Sequence, residues 1–241
     1  MSDDPDGRTV DDAIEAVLFD LDDTLVSYRR SPGEVLELAF AEAGYEQFFR
    51  VEAYYDRFDE YLAQTETLAD LRRACFADIA ESVDRPAADG VAVAAAFDRL
   101  RDPTNVDPVP GAHEVLDELA GDYRLGLVTN GSPSAQEPKL TGAGIADAFD
   151  TRVFAGYDTA PKPDREPFDR AVSTLEVDPP RTLMVGDSLS SDVAGAQAVG
   201  MRGVYLSEDG EGSDTPDDSE SAVPDHRIES LAELPELLRG R

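Results

Sequence analysis

The apolar run Val17-Leu18-Phe19 ends in Asp20-Leu21-Asp22-Asp23-Thr24. Clustered carboxylates repel one another and resist burial, so an apolar segment that runs into three of them calls for a cation such as a metal ion. Two further runs end in chemistry. Leu125-Gly126-Leu127-Val128 leads to Thr129-Asn130-Gly131, and Leu183-Met184-Val185 leads to Gly186-Asp187, with Asp192 five residues on. Lys162 lies between these two, in Ala160-Pro161-Lys162-Pro163-Asp164. A hydroxyl and a turn rich in backbone N–H groups suit phosphate oxygens. A lysine adds a point charge. Several carboxylates suit Mg²⁺, a hard cation that prefers one or two carboxylates together with water and phosphate.

Each of these residues also has a plainer reading. Any one Asp among 52 acids could be a solvated loop residue. That reading is weak for an acid that directly follows a buried strand. Lys162 could be a surface base, yet the chain has 19 Arg and only two Lys, so each surviving Lys is informative. The other one, Lys139, is expected in an ion pair with an acid. Asp192 could simply cap a helix N-terminus. Asp23, His113 and His226 read as surface residues, and Cys75 reads as a buried, inert thiol in an apolar helical pattern.

These residues need a scaffold that brings strand ends together. Ile14 to Phe19 reads as a first strand. Ser31-Pro32-Gly33-Glu34 is a helix start, with Ser as N-cap, Pro at N1 and Glu at N3. From there to about Asp102 the pattern is helical, with apolar faces around Val35–Phe40, Tyr54–Tyr61, Leu68–Ile79 and Val91–Leu100. After Pro103, Pro108 and Pro110-Gly111 the chain alternates. Helices are expected over 112–120, 132–140, 164–175 and 190–199, and strands over 124–129, 151–155, 182–186 and 203–206. Such alternation predicts a Rossmann-like, doubly wound α/β core with a mainly parallel sheet. Ligands of open α/β sheets bind outside the carboxyl ends of the strands. The expected organisation is a flexible acidic tail over 1–12, a catalytic core over 13–28 and 104–241, and an inserted all-helical cap subdomain over 29–103. Ser207 to Ala222 reads as a solvated acidic loop, and Ser230-Leu231-Ala232-Glu233 as a capping box opening a last helix.

Composition narrows the function. The formal net charge is −31, which repels nucleic acid and anionic membrane, so neither is an expected partner. A phosphorylated substrate would need a metal and local cations to reverse that field. An acid-rich, Lys-poor surface fits a protein of a salt-rich cytoplasm, hence a halophilic source. The single cysteine excludes an internal disulfide and a cysteine-rich metal site. No apolar run approaches the ~18 residues of a membrane span, and the acidic N-terminus lacks signal-peptide features. The expected location is therefore cytoplasmic.

The four motifs, in this order, resemble the haloacid dehalogenase superfamily: Asp20-Leu21-Asp22-Asp23-Thr24, Thr129-Asn130-Gly131, Lys162-Pro163 and Gly186-Asp187-Ser188-Leu189-Ser190-Ser191-Asp192. The resemblance covers nearly the whole chain and extends to an α-helical cap between the first two motifs. It implies that Asp20 is the nucleophile that forms an aspartyl phosphate, and that Asp22 is the general acid and then the base. Mg²⁺ would be held by Asp20, the backbone carbonyl of Asp22 and Asp187, with Asp192 at a secondary position. Thr129, Asn130 and Lys162 would bind phosphate. The implied activity is a Mg²⁺-dependent phosphatase acting on a small phosphorylated metabolite. Gln136 and Lys139-Leu140 after the second motif resemble members that act on nucleoside or sugar phosphates. The competing readings are a 2-haloacid dehalogenase, a phosphosugar mutase, a signalling receiver and a non-catalytic phosphate-binding module. Dehalogenases of the superfamily generally lack the second acid of the first motif, so Asp22 argues against that activity.

Overall fold

The computed structural model describes residues 13–62, 64–65, 67–207 and 222–239; the acidic tail and most of the acidic stretch before residue 222 lie outside these. In chain order the elements are β1 (Ala16–Phe19), β2 (Val26–Tyr28), α1 (Pro32–Ala43), α2 (Val51–Leu62), α3 (Leu68–Ser82), α4 (Ala87–Leu100) and β3 (Val106–Pro108). They continue with α5 (Ala112–Leu119), β4 (Arg124–Asn130), α6 (Pro133–Gly142), β5 (Thr151–Ala155), α7 (Glu166–Leu175), β6 (Thr182–Gly186), α8 (Ala194–Ala198), β7 (Arg202–Leu206), β8 (His226–Ile228) and α9 (Leu234–Arg239). Two compact units are present, Tyr28–Asn105 and the residues flanking it on both sides.

The larger unit holds a six-stranded sheet in the order β5-β4-β1-β6-β7-β8, with every pairing parallel. Strand β1 is central, and the chain winds outward from it first through β4 and β5, then on the other side through β6, β7 and β8. That reversal is a topological switch point, so a crevice opens at the carboxyl end of β1. Register aligns the three chemical strand ends. Phe19 pairs with Leu127 on one side and Val185 on the other, so Asp20, Val128-Thr129 and Gly186-Asp187 emerge at one level. Side chains alternate between sheet faces. Ala16, Leu18, Val128 and Met184 pack on Phe168, Ala171 and Val172 of α7 and Ala196 of α8. Val17, Phe19, Leu125 and Leu127 are buried on the opposite face. Each fully buried Leu or Phe contributes about 1.5–3 kcal/mol relative to exposure, which fixes the strands whose ends carry the polar groups.

The smaller unit is all-helical apart from its ends. Helix α1 starts as the sequence predicts: Ser31 accepts from the Glu34 N–H at 3.2 Å and Glu34 reaches back to the Ser31 N–H at 2.7 Å. Its core gathers Phe40, Phe49, Tyr54, Phe76 and Phe97 in edge-to-face contacts with centroids 4.9–5.7 Å apart. Cys75 is buried there and its thiol is pushed up to about 11 by burial, in keeping with an inert thiol. The aromatic stripe of α2 splits: Tyr54 is core and Tyr55 is exposed. No helix among the described residues is long and apolar enough to cross a membrane.

Candidate active site

The first motif leaves β1 through a tight turn. Asp20 donates its N–H to Val185 O at 2.9 Å, which pins it to β6. Asp23 takes the left-handed region at φ 56°, a conformation aspartate tolerates. Leu25 and Val26 both return N–H bonds to Leu21 O. This turn sends the Asp20 and Asp22 carboxylates to different partners.

Asp20 is buried and accepts from Lys162 Nζ at 2.6 Å. The same ammonium bonds Asp192 Oδ1 at 2.6 Å and Val128 O at 2.9 Å, which uses all three of its hydrogens. Asp192 lies in a π-turn, Leu189–Val193, that leads into α8, and its second oxygen accepts the Ser188 N–H at 3.2 Å. Gly186 makes this approach possible, because a Cβ there would sit 2.2 Å from Asp192 Oδ2. Asp187 completes the group, and its Oδ1 accepts from the buried Thr24 hydroxyl at 3.3 Å. Carboxylate oxygens of Asp20, Asp187 and Asp192 lie within 4.8 Å of one another.

Burial pushes the Asp20 carboxyl up to about 7, against the pull of Lys162 and with added push from Asp192 and Asp187. Asp187 rises to about 6 through burial, Asp192 and Asp23. Burial works against the Lys162 charge, but Asp20 and Asp192 outweigh it and raise its pKa. Three carboxylates against one ammonium leave an excess of negative charge in a buried place. A hard cation with oxygen preference fits such a donor set, and these three acids could hold one.

The Asp22 carboxylate is elsewhere. It is ion-paired with Lys139 of α6, whose Nζ stands 2.6 and 2.7 Å from its two oxygens. Gln136, one helical turn earlier, has Nε2 within hydrogen-bond distance of Asp22 Oδ2 at 3.0 Å, Thr129 Oγ1 at 2.8 Å and Asn130 O at 2.8 Å, so its two hydrogens are shared among three acceptors. Thr129 is buried at the end of β4. The Asn130 side chain is bound to the Lys162 main chain: its Oδ1 accepts the Lys162 N–H at 2.8 Å and its Nδ2 donates to Lys162 O at 3.3 Å. One hydrogen of the Asn130 amide is left over for a ligand. The Lys162–Pro163 peptide is cis.

Every residue singled out in the four motifs therefore belongs to one end of the sheet. His113 and His226 lie exposed on α5 and β8. Sequence reasoning passed over Thr24, treated Gln136 only as a marker of relatives, and expected an acid for Lys139 without naming it. The scarcity of lysine was the available signal, since both lysines are buried here, Lys162 on Asp20 and Lys139 on Asp22.

The profile of the haloacid dehalogenase-like hydrolases matches residues 14–200. The chain belongs to this family. Among curated proteins it is 39% identical over 99 residues to glyceraldehyde 3-phosphate phosphatase of Pyrococcus abyssi, an alignment covering 41% of this chain and 42% of that one. In several such matches the chain spans about half the length of the curated relative or less. With human N-acylneuraminate-9-phosphatase it shares 28% identity across 94% of both chains. Among solved structures, a 2-haloacid dehalogenase from Pseudomonas syringae superposes with a TM-score of 0.65 at 26% identity, covering 94% of this chain and 99% of that one. This haloacid dehalogenase-like hydrolase thus has the expected fold. The fold alone is shared by phosphatases and dehalogenases, so the choice between them rests on side chains.

Proposed function

We propose that this hydrolase is a Mg²⁺-dependent phosphatase of small phosphorylated metabolites. The observation that carries the reading is the pair of carboxylates leaving β1 on separate errands: Asp20 within the Asp187–Asp192 cluster, and Asp22 outside it beside Thr129. A nucleophile, a separate proton carrier and a phosphate-binding hydroxyl are what ester hydrolysis through a covalent intermediate needs. The phosphatase names of the curated relatives support the same class.

In this reading an Asp20 oxygen attacks phosphorus as the bond to the ester oxygen breaks, and Asp22 gives that oxygen a proton. A water then attacks the phosphorus of the aspartyl phosphate. Asp22 takes its proton, inorganic phosphate leaves and Asp20 is restored. Thr129 and Asn130 hold phosphate oxygens. Lys162 holds Asp20 in place and offsets charge. Asp20, Asp187 and the main-chain carbonyl of Asp22 would hold Mg²⁺, with Asp192 beside them, and the ion would supply charge neutralisation on the phosphoryl group. Residues 29–103 correspond to the family's helical cap subdomain, and 13–28 with 104–241 to its catalytic core. The acid-rich, Lys-poor composition supports a place in the cytoplasm of a salt-rich cell.

Two of the alternatives meet a specific obstacle. Dehalogenation does not require a second acid, yet two side chains of α6 are spent on Asp22. A bare binding module would not need the nucleophile held by a buried lysine. The test is phosphate release from p-nitrophenyl phosphate with Mg²⁺ in high KCl. Asp20→Asn should lower it by more than about 10³-fold. Turnover near the wild-type rate would refute the nucleophile, and halide release from 2-chloropropionate without metal would install dehalogenation instead.

A further inference from the structure

Helix α6 contributes two buried polar side chains to the site from outside the four motifs. Lys139 and Gln136 are three residues apart, hence on one helix face, and each is about 97–98% buried, with 3% and 2% exposed. Lys139 spans both oxygens of Asp22. Gln136 Nε2 touches a carboxylate, a hydroxyl and a carbonyl oxygen, while its Oε1 is buried without a hydrogen-bond partner. Turning the amide over would press Oε1 against the carboxylate and the carbonyl, so chemistry fixes the orientation. A stable fold does not favour an unpaired buried oxygen; the amide is held this way for what its nitrogen does. Since Thr129 Oγ1 accepts from Gln136, the Thr129 hydroxyl hydrogen is left to point at an anion.

We propose that Lys139 and Gln136 form a positioning clamp on Asp22. They hold its carboxylate off the Asp20–Asp187–Asp192 cluster and tie it to Thr129, so that one turn of α6 sets both the proton carrier and the phosphate-binding hydroxyl. The inference rests on the phosphatase reading. It assigns the clamp to the step in which the ester P–O bond breaks: the departing oxygen takes a proton from Asp22, and Asp22 draws that proton from the Lys139 ammonium paired with it, which is left as the neutral amine.

Leaving-group dependence isolates that step. p-Nitrophenolate departs without a proton, whereas an alkoxide needs one. kcat/KM covers events up to that departure, so it is the quantity to compare for p-nitrophenyl phosphate and glycerol 2-phosphate, using the full chain with Mg²⁺ in high KCl. Lys139→Met should lower kcat/KM on the alkyl ester on the order of 10²-fold, as loss of a positioned general acid does, and on the aryl ester by less than about tenfold. Gln136→Met keeps the volume and removes the amide. It should shift the ratio of the two substrates the same way by a smaller factor, and it carries the test if Lys139→Met does not fold. A clamp with only a structural role would lower both substrates together, so equal losses, or none, overturn the proposal. Wild-type protein that releases phosphate from neither ester would overturn the phosphatase reading and this inference with it; wild-type activity with equal losses overturns the clamp alone.

Discussion

Asp20 and Asp187 are held by burial above the ordinary carboxylate range, at about 7 and about 6, and the sign of that shift has a measurable result. An acid whose pKa is higher folded than unfolded binds more protons in the folded state between its two pKa values. Stability without metal therefore falls as pH rises from about 4 through about 7. A divalent cation competes with those same protons, so its binding strengthens over the same window. The expected outcome is that Mg²⁺ raises the thermal midpoint clearly at pH 8 and little at pH 5. An equal rise at both would mean that the ion does not bind these carboxylates. Asp187→Ala should shrink the rise at pH 8, and an unchanged Mg²⁺ titration midpoint would remove Asp187 from the ligand set. Asp20, Asp22, Thr129, Asn130 and Asp187 were legible because they end or follow apolar strands and stand out from what packing alone would select there, and Lys162 because lysine is so scarce in the chain. Lys139 as the partner of Asp22 was not, because the pair is 117 positions apart and only the parallel register brings α6 over the end of β1.

Helix α4 packs its Gly90 on the backbone of α3, where a Cβ would lie 1.9 Å from the Phe76 carbonyl oxygen and 2.4 Å from its carbon. Backbone cannot swing aside, so the helices would have to separate. Helix propensity alone makes Gly90→Ala stabilising by about 1 kcal/mol, whereas overpacking makes it destabilising by about 1–3 kcal/mol. The opposed signs make urea unfolding decisive: the midpoint should fall, and a rise would show that the crossing is looser than described. Five of the eight tyrosines, Tyr28, Tyr45, Tyr54, Tyr55 and Tyr61, lie in this unit and report on it in a chain without tryptophan. Elements with strong local grammar were legible, α1 from its capping box and β5 and β6 from bounded apolar runs. Strands β2, β3 and β8 were not; each has three residues, too few to show an alternation, and they exist only through their partners. The π-turn at Leu189–Val193 was missed for a related reason: Ser-Ser-Asp-Val reads as the start of a helix, and burial of Asp192 on Lys162 is a long-range requirement.

At the scale of the whole chain, the charge of −31 sets two opposed responses to salt. Screening weakens the arginine ion pairs that join the helices of the smaller unit, Arg57–Asp78, Arg72–Asp98 and Arg99–Glu42. Arg99–Glu42 is exposed, where a pair is worth about 0–1 kcal/mol, and the other two are part-buried and so screened less, which keeps the combined loss small. Screening also relieves repulsion among 52 acids faced by 21 bases. The Debye length falls from about 10 Å at 0.1 M to about 3 Å at 1 M, so most of that relief comes below molar salt. Repulsion spread over so many charges outweighs these three pairs, and the net effect is stabilising. At about 2–4 °C per kcal/mol for a chain of this size, relief of a few kcal/mol raises the thermal midpoint by several degrees between 0.1 and 1 M KCl, with a shallower slope above. KCl suits this measurement because sulfate would add a general strengthening of apolar burial that any protein shows. A flat midpoint, or full stability in dilute buffer, would show that the acidic surface is not an adaptation to salt.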